Sequence, residues 1–101
     1  MNRDSDAPLE TRLVRVRGRV QGVGYRYSCV AKARELGLTG WVRNRMDESV
    51  EAMLQGPAEV VASMCEWMED GIEAALVERI EVSEVNAPYP RFEGFEQLPT
   101  E

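Results

Sequence analysis
The chain has 101 residues, 44% of them hydrophobic and 30% charged, the make-up of one soluble globular domain with no room for a second core. No apolar run is long enough to cross a bilayer, and the absence of histidine excludes His-dependent triads, the commonest general base and the commonest metal ligand. The net charge of −6 is unevenly divided, with nine basic residues against Glu35 between Arg12 and Arg45, and fourteen acids against Arg79 and Arg91 from Met46 onward.

Residues 1–10, MNRDSDAPLE, are polar and contain Pro8. They lack an apolar h-region, so they read as a frayed tail on a cytoplasmic protein, with the domain over residues 11–101. Thr11 to Arg19 alternates, with Val14 and Val16 on the apolar side, and predicts a strand. GRVQGVGYR follows, three glycines and two arginines in nine residues. From Tyr25 or Arg26 to Leu36 the spacing turns helical, with Val30, Ala33 and Leu36 on one stripe and Gly37 where a helix stops. LTGWVRNR predicts a second strand with Trp41 as its core anchor, MDES a turn, and VEAMLQG a third strand with Val50, Ala52 and Leu54 on one side.

Pro57 is expected to open a second helix at its first position. Val60, Val61, Met64, Trp67 and Met68 then recur at helical spacing, a core stripe that includes Trp67. The pattern breaks near Gly71. VERIEVSEV alternates as a fourth strand, and Phe92, Phe95 and Leu98 suit a short last one. The order β-α-β-β-α-β predicts an α+β, ferredoxin-like βαββαβ sandwich: two helices on one face of an antiparallel sheet. Cys29 and Cys65 have no metal-ligand spacing and read as reduced, partly buried thiols.

A glycine-rich link from strand to helix can form a nest of backbone N–H groups beside the positive end of the helix. Gly18, Gly22 and Gly24 supply backbone angles closed to other residues and no side chain to block a ligand. Arg26, in the first helical turn, can hold a phosphate through two parallel hydrogen bonds. The spacing is neither a Walker A loop nor GxGxxG. Arg17, Arg19, Arg43 and Arg45 read as solvated strand faces.

GRVQGVGYR, LTGWVRN and SVEAMLQGP together resemble the signature blocks of the acylphosphatase family, over about Leu13 to Phe95. The resemblance implies the ferredoxin-like fold. It also implies hydrolysis of acyl phosphates to a carboxylate and inorganic phosphate, without metal or cofactor. On that resemblance Arg26 binds the phosphate and Asn44 positions the attacking water. The phosphate nest then comprises Val20, Gln21, Gly22, Val23, Gly24, Tyr25 and Arg26. The expected partners are a small acyl phosphate and the phosphate product, with no nucleic acid, no membrane and a monomeric state.

The chain departs from the family at three places. RMDES stands where an Asp-Gly turn is common, which puts Glu48 at an angle it disfavours. GIEAALV stands where Gly-Pro is common, and Ile72 is expected to loosen that loop. Tyr25 stands where Phe is common, so its hydroxyl needs a partner. Two other functions share the topology, a non-catalytic phosphate-binding module and an RNA-binding module. Against the second, the strands lack the paired aromatics that stack bases, and the chain as a whole is acidic.

Overall fold
The structure, a computed structural model, describes residues 9–101. The elements follow in the order β1 (Leu9–Arg19), α1 (Tyr25–Leu36), β2 (Thr39–Asn44), β3 (Val50–Pro57), α2 (Ala58–Asp70), β4 (Leu76–Glu84) and β5 (Phe95–Gln97). They form one sheet in the order β4-β1-β3-β2-β5. The expected βαββαβ order is present, and the short last strand expected around Phe95 is there as β5.

The sheet is mixed, not antiparallel throughout. β1 pairs antiparallel with both β3 and β4, and β2 antiparallel with β3, but β5 runs parallel to β2. The reason is connectivity: β4 and β5 occupy opposite edges, so the chain crosses one end of the sheet and comes back beside β2. Gln55 holds that crossing. Its Nε2 donates to the Pro90 carbonyl (2.9 Å) and its Oε1 accepts from the Phe92 N–H (3.1 Å).

Strand alternation builds the core. Val14 lies opposite Ala52, which lies opposite Val42, and all three are fully buried. α1 adds Tyr25, Cys29 and Ala33, and α2 adds Val61, Met64 and Met68. α1 stops where Gly37 turns left-handed and the Leu38 N–H reaches back to the Ala33 carbonyl (2.9 Å). Both cysteines are free, Cys65 partly and Cys29 fully buried. Burial pushes the Cys29 thiol up to about 12, so it is a core side chain rather than a nucleophile.

Several local expectations are corrected. Leu9 and Glu10, assigned to the tail, pair with Pro57 and Gly56, because β3 runs far enough to offer them partners; the rest of the expected tail lies outside the described residues. Trp41 is not in the core. Val42 and Asn44 take the helix-covered side of β2, so the period of two sends Trp41 to the other face, where the Arg43 guanidinium lies 4.7 Å from its ring centroid. Pro57 is the extended cap (φ −60°, ψ 143°) before Ala58, one place earlier than expected. Ile72 does not loosen its loop: it packs on the core and its carbonyl accepts from the Ala75 N–H at 3.0 Å.

Trp67 packs at the core margin and stacks with Tyr25, ring centroids 6.3 Å apart. The Tyr25 hydroxyl finds its partner in the Met68 carbonyl at 2.7 Å. That carbonyl is one of the last four of α2, which have no partner within the helix. Tyr25→Phe leaves it bare, and is expected to lower stability by about 1–2 kcal/mol, measured by urea denaturation against the parent chain.

Candidate active site
The link from β1 to α1 is built around two left-handed glycines, Gly22 (φ 75°) and Gly24 (φ 84°). A Cβ on either would meet nothing within 4 Å. The backbone angle therefore requires glycine, and the space beside the loop stays open. Gly18 also takes an angle closed to other residues, as expected (φ 135°), but not in the loop. It lies within β1 at a bulge against β4, where a Cβ would come 2.2 Å from the Leu76 carbonyl oxygen.

Gly24 caps α1 without a side chain, and the Ser28 N–H bonds to its carbonyl at 3.0 Å. The N–H groups of Tyr25, Arg26 and Tyr27 thus precede the first helical hydrogen bond and have no intrahelical acceptor. They carry the positive end of the helix dipole. A pocket of about 300 Å³ opens here, lined by Val20, Gly22, Gly24, Tyr25, Arg26, Tyr27 and Gln97.

Arg26 is the cation of this pocket. Arg12, Arg15, Arg17, Arg43, Arg45 and Arg79 are all held by carboxylates, and Arg34 by the Phe95 carbonyl. Arg26 makes no ion pair with any described carboxylate. Of the strand arginines expected to be merely solvated, Arg17, Arg43 and Arg45 instead join a network on the helix-free face, while Arg19 is exposed and forms no ion pair with a described carboxylate. Glu51, 5% exposed, accepts from Arg15 (3.0 Å), Arg43 (3.1 Å) and Arg45 (3.4 Å). Burial pushes the Glu51 carboxyl up, but hydrogen bonds from Arg15 and Arg43 outweigh it and hold it below its ordinary value.

Asn44 ends β2 on the helix-covered side and is 8% exposed. Its Oδ1 is buried and no described group donates to it. It does not line the pocket, nor do Gln21 and Val23. Val23 packs on the core. The Gln21 side chain reaches the β2–β3 turn, donating from Nε2 to the carbonyls of Arg45 (2.9 Å) and Ser49 (2.8 Å). The glycine loop and the strand end carrying Asn44 are therefore tied together directly.

Tyr27 and Gln97 are pocket residues absent from the expected site. Tyr27 is 77% exposed, and its proximity to Arg26 was the available signal. Gln97 comes from β5, whose parallel pairing with β2 has no sequence marker. Among the described residues, no group of three or more His, Cys, Asp or Glu side chains could hold a metal ion.

The acylphosphatase family profile matches residues 13–97. A Ralstonia nicotianae protein named acylphosphatase 1 is 68% identical over 94 residues, covering 93% of this chain and 92% of its own. An acylphosphatase of Polaromonas naphthalenivorans is 54% identical over 99 residues, covering 98% of each. Among solved structures, an acylphosphatase from Coxiella burnetii superposes with a TM-score of 0.85 at 31% identity, over 97% of this chain and all (100%) of that one. The chain belongs to the acylphosphatase family.

The turn after Asn44 keeps its form despite lacking glycine. The Arg45 N–H donates to the Ser49 carbonyl (2.8 Å) and the Glu48 N–H to the Arg45 carbonyl (3.1 Å), while Glu48 takes φ 73°. This is a three-residue hairpin loop whose left-handed position usually holds glycine. Asp47 reinforces it: hydrogen bonds from the Ser49 hydroxyl and N–H, then from Arg17, hold its carboxyl at about 2. Glu48→Gly is expected to stabilise the fold by about 1 kcal/mol by removing the left-handed strain, read as a raised urea midpoint with an unchanged slope.

Proposed function
We propose that the glycine loop, Arg26 and Asn44 carry the acyl phosphate hydrolysis that family membership gives this chain. The products are a carboxylate and inorganic phosphate, and the route is direct in-line attack by water. The observation that carries this reading is the Asn44 Oδ1 atom, an acceptor buried with no donor among the described residues, on a strand end tied to the loop. A buried acceptor left unmatched costs stability, and an attacking water is a fitting donor to it.

An acyl phosphate already has a good leaving group, so positioning and charge stabilisation are the main requirements. The phosphoryl oxygens accept from backbone N–H groups between Val20 and Arg26, and from the Arg26 guanidinium. Asn44 orients the water, and its amide does not serve as a base. Water oxygen bonds to phosphorus as the carboxylate leaves with the electrons of the broken P–O bond. The water proton goes to a substrate oxygen or to solvent.

The reading includes a cytoplasmic monomer that uses no metal or cofactor and binds neither nucleic acid nor membrane. In its support, no helix among the described residues is long and apolar enough to cross a membrane. The RNA-binding alternative is disfavoured because Glu51, Asp47 and Glu81 engage the arginines of the open sheet face. A purely phosphate-sensing module is disfavoured by relatives named acylphosphatases, matched over 92% and 98% of their length.

Hydrolysis of benzoyl phosphate in EDTA tests the reading. The parent chain should remain active there; loss on chelation, restored by a divalent ion, would contradict it. Arg26→Ala should weaken phosphate inhibition and cut turnover by about 100-fold or more, as for other preorganised charge stabilisers. Asn44→Ala should cut turnover by about the same factor while leaving phosphate inhibition within roughly threefold.

A further inference from the structure
We infer that the Gln21 side chain is a positioning residue, which sets Asn44 against the glycine loop and so controls the chemical step without holding phosphate itself. The inference rests on the reading of the site above. It assigns the Gln21 side chain a role separate from any its backbone N–H has in the nest.

The geometry leaves Gln21 one arrangement. Its two partners, the Arg45 and Ser49 carbonyls, are pure acceptors, so the amide must present nitrogen to both. Its two N–H donors match the two carbonyls. Each of those carbonyls already accepts one backbone bond of the turn, from Glu48 and from Arg45 respectively. Gln21 fills the remaining lone pair on each and clamps the closing residues of the hairpin. Asn44 is joined directly to Arg45, and Ser49 directly to Val50, the residue opposite Asn44. A displacement of the turn therefore displaces Asn44.

Other restraints on the turn come from the far face of the sheet, where Arg15 and Arg17 hold Asp47 at 3.4 and 3.2 Å and Arg45 meets Glu51 at 3.4 Å, and from the Glu101 carbonyl, which accepts from the Met46 N–H at 3.2 Å. None of these joins the turn to the glycine loop, as the Gln21 amide does. The nest, by contrast, depends on the angles of Gly22 and Gly24 and on the start of α1. Removing the Gln21 amide should thus leave phosphate recognition in place and move Asn44 off line.

The test is a double-mutant cycle with benzoyl phosphate. Gln21→Ala should lower kcat by about 10- to 100-fold, the scale of a small misplacement of a reacting group. The phosphate inhibition constant should change by less than about threefold, since the loop N–H groups are untouched. In an Asn44→Ala background the same Gln21→Ala change should cost less than about twofold, because residues that act as a unit are not additive. Gln21→Glu supplies a second readout. As a carboxylate it offers no donor to the two carbonyls; once protonated it donates to one. Its activity relative to the parent should therefore rise as the pH falls from 7 to 5.

Additive costs in the cycle, or a Gln21→Ala enzyme with parental kcat, would overturn the inference while leaving the assigned roles of Arg26 and Asn44 standing. Should Gln21→Ala fail to fold, the pH profile of Gln21→Glu decides: a rise supports the clamp, and a flat ratio overturns it. An Asn44→Ala enzyme with parental turnover would overturn both the site reading and this inference.

Discussion
Val50 pairs with Val16 on one side and with Asn44 on the other, and this single row of the sheet determines where the site can form. β1 leads into the glycine loop and β2 ends at Asn44. They are not neighbours, so β3 between them must bring the two ends to the same level. The row also sets the facing of Asn44. A slip of one residue would turn Asn44 toward the open face and bring Arg43 or Arg45 to the helix side. The apolar partners Val14, Ala52 and Val42 one step along resist that slip, because it would move Val42 off the covered face and away from the other two. Core packing and site geometry thus depend on the same register.

Charge is arranged to a similar end. The acidic second half of the chain supplies Glu51, Asp47 and Glu81, which engage the basic strands on the face away from the helices. Arg26, on the helix side of the loop, has no such partner among the described carboxylates. A chain with a net charge of −6 therefore presents a basic pocket made of one guanidinium, a helix start and glycine-loop amides. The chemistry that suits them is binding and orientation, which accounts for a site assembled without histidine or a reactive thiol.

Much of this was legible in the residues. Alternation around Val14 and Val16, the Met and Val stripe of α2 and the stop at Gly37 are strong local patterns, and tertiary packing agrees with them. Glu48 was legible as a misfit, because the requirement for a left-handed angle is local to the turn. What the sequence concealed is non-local. Trp41 looks like an anchor by size, yet its face is set by which neighbours in β2 the helices cover. Gly18 looks like a loop residue, but the approach of Leu76 makes it a bulge residue within the strand. β5 has three residues, too few for a period to declare its direction, so Gln97 and its place in the pocket were hidden with it. Gln21 reads as one more residue of a phosphate loop; only the folded hairpin reveals two carbonyls within reach of its amide.

The central claim is that one loop holds the phosphoryl group while Asn44 holds the water. A crystal structure of the protein with inorganic phosphate bound tests it most directly. The account predicts phosphate oxygens on the N–H groups between Val20 and Arg26 and on the Arg26 guanidinium, with an ordered water donating to Asn44 Oδ1 and facing the phosphorus. Phosphate seated on the arginines of the open sheet face, or an Asn44 amide turned away from the bound phosphate, would contradict it.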